Sequence, residues 1–309
     1  DDDTAALARP AGADAIERKD KTRCGKGYAL QFGVDHLRQT PPETVVFIDA
    51  DCRLAPGAIA RLAARADYLQ RPVQALYLMR AADGAGFKSA VSAFAWLLMN
   101  RVRMSGLQQL SGATRLTGSG MAFPWSLISK ADLASGEIVE DLALTVRMIE
   151  DGAPPFLDLG AIVTSELARS DAGATTQRAR WEHGSLSMAA RMAPQLLLKG
   201  LKGDAKSLAI AFDLAIPPLT ILAAALVGVT ALSILAAFLG AAGALKVSLW
   251  SIFLFSVAVL IGWAAYGREA LPPHALKGVG AYLLGKARVY GEEGRKSAKR
   301  WTRTERGGE

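Results

Sequence analysis

Residues 44–51 read Thr-Val-Val-Phe-Ile-Asp-Ala-Asp, and this stretch decides the fold class. The run of β-branched and aromatic residues at 44–48 is typical of a strand that is buried on both faces of a sheet. Helices are predicted on either side of it, at 28–38 and 56–67, and a second strand is predicted at 73–79. This alternation predicts an α/β fold with a doubly wound, mostly parallel sheet.

Weaker patterns extend this prediction along the chain. The sequence predicts a short strand at 15–17 and a tight turn at Gly118-Ser119-Gly120. Further helices are predicted at 5–11, 87–107, 142–151 and 176–193.

The character of the chain changes at residue 208. Hydrophobic residues make up 51% of the 309 residues, and they concentrate at 208–266. The segments 208–239 and 247–266 are each long enough for a membrane span of about 20 residues. Because the connector 240–246 is short, the two segments are predicted to form a hairpin. The alternative is a buried helical hairpin of a soluble protein.

The chain has a net charge of +7, and basic residues collect on the C-terminal side of this apolar hairpin. Basic residues on one side of a membrane segment mark the cytosolic side, so we expect both ends of the hairpin in the cytosol. The predicted organisation is a cytosolic domain at 1–200, two transmembrane helices at 205–267 and a basic cytosolic or interfacial tail at 268–309. The basic residues do not interleave with aromatic residues on a soluble face, which argues against a nucleic-acid partner. They are Lys277, Lys286, Arg288, Arg295, Lys296, Lys299, Arg300, Arg303 and Arg306.

The two cysteines and one isolated acid are weaker indicators of function. Cys24 and Cys52 show no Cys-x-x-Cys pattern, which predicts neither a disulfide framework nor a zinc site. Asp213 is the one charged residue within 208–239. An acid in a membrane segment marks a functional site by default, and an interfacial position is the alternative.

Two groups of polar residues surround the strand predicted at 44–48. Asp49 and Asp51 follow it, and ligands of open parallel sheets bind at the carboxyl ends of the strands. Such a carboxylate pair suits a divalent cation that bridges to a diphosphate, although acids are also common at solvated strand ends. Gly25-Lys26-Gly27 opens the preceding helix, where backbone N–H groups and an ammonium suit a phosphate. An ordinary turn is the alternative there.

Two further groups follow in the second half of the domain. Glu140 and Asp141 begin the helix predicted at 142–151, a position that the helix dipole alone favours for acids. Gln177, Arg180 and Trp181 fall at i, i+3 and i+4, on one face of a helix. An amphipathic helix on a membrane surface is the alternative for these three residues.

Taken in order, Asp-x-Asp, Glu-Asp and Gln-x-x-Arg-Trp resemble the membrane-embedded family 2 glycosyltransferases, which include the cellulose and hyaluronan synthases. The resemblance covers most of the chain and implies a GT-A-like fold. The family's first strand has no counterpart here, so we expect an N-terminally truncated sequence. Val139 stands where the family has Thr in its Thr-Glu-Asp motif, a departure that leaves both carboxylates in place.

The resemblance also assigns roles to residues. Asp141 is the expected general base on an acceptor hydroxyl. Arg180 is expected to act on the departing diphosphate, where a preorganised cation stabilises the transition state. The other residues expected to bind the donor are Lys26, Asp49, Asp51 and Gln177, with Asp51 holding Mg²⁺ or Mn²⁺. The residues expected to bind the acceptor are Gly118, Ser119, Gly120 and Trp181.

The expected function is therefore that of an inverting glycosyltransferase, a hexosyltransferase of an inner membrane with a cytosolic catalytic domain. It would move a sugar from a nucleotide diphosphate donor, a UDP-sugar, to a saccharide or lipid-linked acceptor, in exopolysaccharide or cell-envelope glycan synthesis. The alternative is a non-catalytic membrane scaffold that retains the fold. A scaffold predicts eroded acids, whereas Asp49, Asp51, Asp141 and Arg180 are all present.

Overall fold

A computed structural model describes residues 3–20, 22–82, 84, 86–134, 139–167 and 171–278, without the side chains of 171–183 and of Lys277. The α-helices are α1 Thr4–Ala8, α2 Lys26–Leu37, α3 Ala58–Leu69, α4 Phe87–Leu97, α5 Met104–Ser111, α6 Trp125–Ile128, α7 Glu140–Glu150, α8 Asp171–Leu201, α9 Ala205–Ala215, α10 Leu219–Phe238 and α11 Ala242–Gly262. The strands are β1 Thr44–Phe47, β2 Cys52–Leu54, β3 Val73–Arg80, β4 Met121–Pro124 and β5 Phe156–Glu166. π-helical turns follow α4 at Leu98–Arg103 and α11 at Trp263–Gly267, and a 3₁₀ helix covers Pro273–Gly278.

The α/β fold class is confirmed, but the expectation of a mostly parallel sheet is corrected to a mixed sheet. The strand order in the described residues is β1-β4-β3-β5-β2. β4 pairs antiparallel with both β1 and β3, β3 and β5 are parallel, and β2 is antiparallel to β5. β1, β3 and β5 therefore run in one direction, and of these three the sequence predicted β1 and β3. The difference arises because β4 inserts between β1 and β3 in the opposite direction.

β1 is an edge strand of the described sheet, and it lies between two hydrophobic clusters, as its sequence predicts. Val45 and Phe47 belong to the cluster with α2 and β4. Val46 and Ile48 pack against the cluster with α3 and β3. Both faces of the strand are thus covered by apolar side chains, and its carboxyl end is held at a fixed place between two layers of helices.

The strand predicted at 15–17 is wrong, because these residues lie in irregular backbone. The guanidinium of Arg9 binds this segment instead: it donates to the carbonyl of Ala15 at 3.2 Å and to the carboxylate of Glu17 at 2.6 Å. Such side-chain bonds satisfy the local polar groups without a strand partner.

The apolar hairpin is present, with one boundary corrected. The predicted span 208–239 is divided at Pro217-Pro218 into α9 and α10. Proline lacks the N–H that a helix interior needs, so Pro218 lies directly before the first residue of α10 and not within a helix. Leu219–Phe238 and Ala242–Gly267 have mean hydropathies of 2.5 and 2.2, and only 6% of each apolar window is buried. Such exposure is unlike a buried soluble hairpin, and both helices are compatible with a transmembrane hairpin.

Small residues dock the second apolar helix against the domain. A Cβ on Gly262 would lie 2.5 Å from Leu98 Cδ2, and a Cβ on Gly267 would lie 2.4 Å from Phe94 Cε2. The guanidinium of Arg101 lies 4.4 Å from the ring centroid of Tyr266, a cation–π contact. The hairpin therefore packs closely against α4 and the π-helical turn that follows it.

Candidate active site

Lys26, at the start of α2, lies at the centre of a charged cluster beside the carboxyl end of β1. Its Nζ lies 2.6 Å from Asp49 Oδ1 and 3.9 Å from Glu140 Oε1. It also donates a hydrogen bond to the carbonyl of Gly118 at 2.7 Å. Burial lowers the pKa of Lys26, but the Asp49 carboxylate, with Glu140 and Asp141, outweighs this and raises it. Lys26 is thus a fixed cation that joins three chain segments.

The turn Gly118-Ser119-Gly120 is anchored to the sheet by side-chain hydrogen bonds. Ser119 Oγ accepts from the backbone N–H of Asp49 at 3.0 Å and donates to Cys52 Sγ at 3.2 Å. The fully buried amide of Gln74 donates to the Ser119 carbonyl at 2.9 Å and accepts from the N–H of Thr117. These bonds hold the turn against the end of β1 and leave it little freedom.

Steric contacts explain why positions 118 and 120 of this turn are glycines. Gly118 has a φ of +85°, and a Cβ there would lie 3.4 Å from Lys26 Nζ and 3.6 Å from Asp141 Oδ2. Gly120 has a φ of +70°, and a Cβ there would lie 2.7 Å from Ala75 Cβ. A side chain at 118 would separate the ammonium from the carboxylate, so the glycine permits their approach.

Glu140 and Asp141 begin α7 and face the same cluster. The Asp141 Oδ1 accepts a hydrogen bond from the N–H of Leu142 at 2.9 Å. Burial, followed by the charge of Asp141, raises the pKa of Glu140 to about 7. Burial also raises the pKa of Asp141, and Lys26 partly offsets this effect. A carboxylate with a raised pKa is a stronger base than an ordinary aspartate.

Asp49, Asp51 and Cys52 converge, so that one ligand atom from each lies within 4.8 Å of the others. The carboxylates suit a hard cation such as Mg²⁺, which takes one or two of them and leaves its other positions to phosphate and water. The Cys52 thiol does not suit it: burial raises its pKa, and Ser119 donates a hydrogen bond to its sulfur. The acid pair therefore fits a divalent cation, with Asp51 exposed and Asp49 paired to Lys26.

Gln177, Arg180 and Trp181 lie within α8, so the helix predicted at 176–193 is confirmed and extends over Asp171–Leu201. Their side chains lie outside the described part of the structure, and their predicted roles remain predictions.

A cavity of about 310 Å³ adjoins the acids at the start of α7. Its volume is at the lower end of the range for ligand pockets. Glu140 and Asp141 line one side, and α8 contributes Met188, Arg191 and Met192. The sequence did not predict this cavity, because its walls include residues of α2, β4, α7 and α8, which are distant along the chain.

The fold and the site define a GT-A-like α/β domain, in which polar groups gather at the carboxyl end of β1, followed by a hairpin of two apolar helices. Residues 1–184 match the family described as Glycosyltransferase like family 2. The match covers more than half of the chain, which therefore belongs to this family. Comparison with curated proteins gives no match. Family membership supports glycosyltransferase activity, with a nucleotide-sugar donor, an acceptor and a divalent cation.

Proposed function

We propose that the protein is an inverting glycosyltransferase that moves a hexose from a nucleotide diphosphate donor, a UDP-sugar, to a saccharide or lipid-linked acceptor. The observation that carries this proposal is the convergence of Lys26, Asp49, Gly118 and Asp141 at the end of β1, in a chain of this family. These residues come from four separate segments, and a cation and a base are both among them.

The donor side of the site is assigned to the cationic and acidic groups around β1. Lys26 binds a donor phosphate, and Asp51, with Asp49 beside it, would hold Mg²⁺ or Mn²⁺. The bound metal supplies charge neutralisation of the diphosphate. Arg180 and Gln177 of α8 bind the same diphosphate, and Arg180 stabilises the charge that grows on it as it leaves.

The base is assigned to Asp141. Its Oδ2 lies beside Gly118, which has no side chain to separate it from an acceptor. As the acceptor oxygen forms its bond to the anomeric carbon, its proton moves to Asp141, and the bond from that carbon to the diphosphate breaks. The diphosphate leaves with the bonding electrons. A single displacement of this kind inverts the anomeric centre.

The acceptor side is assigned to Gly118, Ser119, Gly120 and Trp181, because glycine backbone permits the close approach of a sugar ring and an aromatic ring suits its face. The order of motifs supports a synthase of the cellulose and hyaluronan type, acting in exopolysaccharide or cell-envelope glycan synthesis at the inner membrane. In this proposal 1–200 forms the cytosolic catalytic domain, 205–267 spans the membrane twice, and 268–309 is a cytosolic or interfacial tail.

Asp141→Asn tests the proposal, because it removes the base while it keeps the size and hydrogen-bonding capacity of the side chain. In the complete protein we expect donor binding to survive and sugar transfer to fall by roughly 10²–10⁴-fold, the usual contribution of a positioned base. Donor affinity and transfer are measured side by side with a panel of UDP-sugars. Asp151→Asn, at the exposed far end of the same helix, is the matched control and should transfer at the wild-type rate.

Two results contradict parts of the proposal. Wild-type transfer by Asp141→Asn would show that this acid only begins a helix. If the wild-type protein transfers sugar from none of the donors, the scaffold hypothesis replaces the enzyme.

A further inference from the structure

Gln74 is a polar side chain in the buried first part of β3. It is 0% exposed, and its neighbours in the strand, Val73 and Ala75, are apolar and buried as well. Burying an amide is costly unless its donors and its acceptor are paired, so a residue that only filled this position would be apolar. The presence of an amide is therefore explained by the groups that it bonds and not by packing.

The Gln74 amide bonds the backbone on both sides of Gly118. Its Oε1 accepts a hydrogen bond from the N–H of Thr117 at 2.9 Å, and its Nε2 donates to the carbonyl of Ser119 at 2.9 Å. Nε2 also donates to the carbonyl of Ala75 within β3 at 2.9 Å. Both ends of the amide are thus satisfied, and a completed network of this kind holds one backbone arrangement.

The bonds of Gln74 bridge two other anchors of this segment. Residues 113–119 are irregular backbone. On one side Leu116 donates its N–H to α7, and on the other side Gly120 bonds β1 and β3 through its backbone. Gly118 lies between these anchors with a φ of +85°, and glycine is the residue with the most alternative conformations. The amide therefore fixes the part of the segment that is most free to move.

The position of Gly118 matters because the two sides of the site meet there. Its carbonyl accepts a hydrogen bond at 2.7 Å from Lys26 Nζ, the ammonium assigned to a donor phosphate. A Cβ at position 118 would lie 3.6 Å from Asp141 Oδ2, so the assigned base stands beside the same residue. A rotation of the Gly118 peptide would withdraw the carbonyl from Lys26. The amide that fixes this glycine therefore sets how the ammonium and the base stand relative to each other.

The two sides of the site depend on this amide unequally. Lys26 keeps its ion pair with Asp49, at 2.6 Å, whatever the position of the turn. The donor side therefore has a support that does not pass through Gln74. The acceptor side is made of the turn 118–120 itself, so any displacement of the turn moves it directly.

We propose that Gln74 is a positioning residue for the transfer step. Its buried amide fixes Gly118 between Lys26 and Asp141, and thereby holds the acceptor hydroxyl where it can attack the donor. This inference rests on the proposed function, in which the turn 118–120 binds the acceptor and Asp141 takes its proton.

Hydrolysis of the donor is the side reaction that reveals such a role. Water is small and reorients freely, so it reaches the anomeric carbon even when a bound acceptor is misplaced. The water oxygen then bonds to that carbon, its proton passes to Asp141, and the diphosphate leaves with the bonding electrons. Loss of the Gln74 amide should therefore shift the enzyme from transfer towards hydrolysis.

The test uses Gln74→Met in the complete protein, a change that keeps the length of the side chain and removes both bonds to the turn. Released diphosphate and transferred sugar are measured together with labelled UDP-sugars, in membranes that supply the acceptor; membranes without the protein give the background. We expect kcat for transfer to fall about ten- to a hundredfold, the loss that a slightly misplaced reacting group produces. Donor KM should stay unchanged, and the ratio of transferred sugar to released diphosphate should fall.

Gln108→Met is the matched control. Gln108 of α5 makes the same kind of paired bond, because its Nε2 donates to the carbonyl of Leu157 at 3.1 Å and its Oε1 accepts from the N–H of Leu157. These bonds reach β5 and not the turn. The variant should lower the unfolding temperature, yet keep the wild-type kcat and the wild-type ratio of transfer to release. All activities are measured below the unfolding transition of each variant.

Gln74→Asn is a milder second variant. Its amide is one methylene shorter and cannot bond both backbone groups, so it should change kcat and the ratio in the same direction as Gln74→Met, by a smaller factor.

The outcomes separate this inference from the proposed function. A wild-type kcat in Gln74→Met, or a loss no larger than that of Gln108→Met, overturns the positioning role. An unchanged ratio of transfer to release also overturns it, because an amide that only stabilised the fold would lower both reactions equally. If Gln74→Met does not fold, Gln74→Asn decides by the same two measurements. A wild-type protein that transfers no sugar refutes the proposed function instead.

Discussion

At the scale of residues, the site depends on one lysine placed among acids. Lys26 lies within ion-pair distance of Asp49 and Glu140, and it also favours the ionised form of Asp141. Without a cation, such carboxylates would repel one another and stay protonated. Asp51 is outside these ion pairs in the described residues and is exposed, so it is the acid most available to a metal.

Asp51→Asn should therefore impair donor binding and turnover together, because the proposed metal joins the protein to the diphosphate. EDTA should reproduce the effect in the wild type, and added Mg²⁺ or Mn²⁺ should reverse it. Donor affinity and transfer rate are measured with and without chelator. Asp67→Asn, in the exposed face of α3, is the control and should behave as the wild type. Full activity in EDTA would exclude a metal requirement.

The residues around β1 were predictable from the sequence as individuals. Asp49 follows a strand, and Lys26 and Asp141 lie at the starts of helices. Ligands commonly bind at both kinds of position. Only the family resemblance implied that they act at one site, because no local pattern brings them together. Asp213 of α9 pairs with Arg115, with 3.5 Å between Oδ2 and Nη1. This pairing was not predictable, because 98 positions separate the two and no local pattern joins them.

At the scale of elements, β4 is the strand on which the arrangement of the sheet depends. It is four residues long and follows Gly120, whose Cβ position would lie 2.7 Å from Ala75 Cβ and 2.9 Å from Val163 Cγ2. The strands β2, β4 and β5 were not predicted from the sequence. β2 and β4 are too short to show a period, and in β5 the pattern is interrupted by a bulge beside Asp158 and Gly160.

Gly120→Ala should destabilise the protein by about 2–5 kcal/mol. A left-handed backbone costs an L-residue roughly 1–2 kcal/mol, and overpacking costs about 1–3 kcal/mol more. Gly57→Ala is the matched control: its φ of +76° imposes the same backbone strain, but nothing lies within 4 Å of the added Cβ. Thermal unfolding of both variants gives the difference. Equal destabilisation would show that steric contact at β4 is unimportant.

At the scale of the whole molecule, the distribution of charge predicts the orientation of the hairpin. Positive charge follows α11 in the sequence, whereas the connector 240–246 carries one lysine. The positive-inside rule then places the connector outside the cytosol and both ends of the hairpin within it.

Cysteine labelling tests this orientation. In a Cys24→Ser, Cys52→Ser background, Ala242→Cys should react with a membrane-impermeant maleimide in intact cells. Ser297→Cys should react only after the membrane is opened. Each variant is also labelled after permeabilisation, as a control for intrinsic reactivity. Reaction of Ser297→Cys from the periplasmic side refutes the orientation.

The insertion of β4 between β1 and β3 has a consequence for synthesis on the ribosome. β1 and β3 leave the exit tunnel before the strand that pairs with both of them, so their edges stay open until residue 124 has emerged. Open strand edges are where nascent chains associate wrongly. Translation speed between β3 and β4 should therefore govern the yield of soluble folded domain, before any apolar helix reaches the membrane.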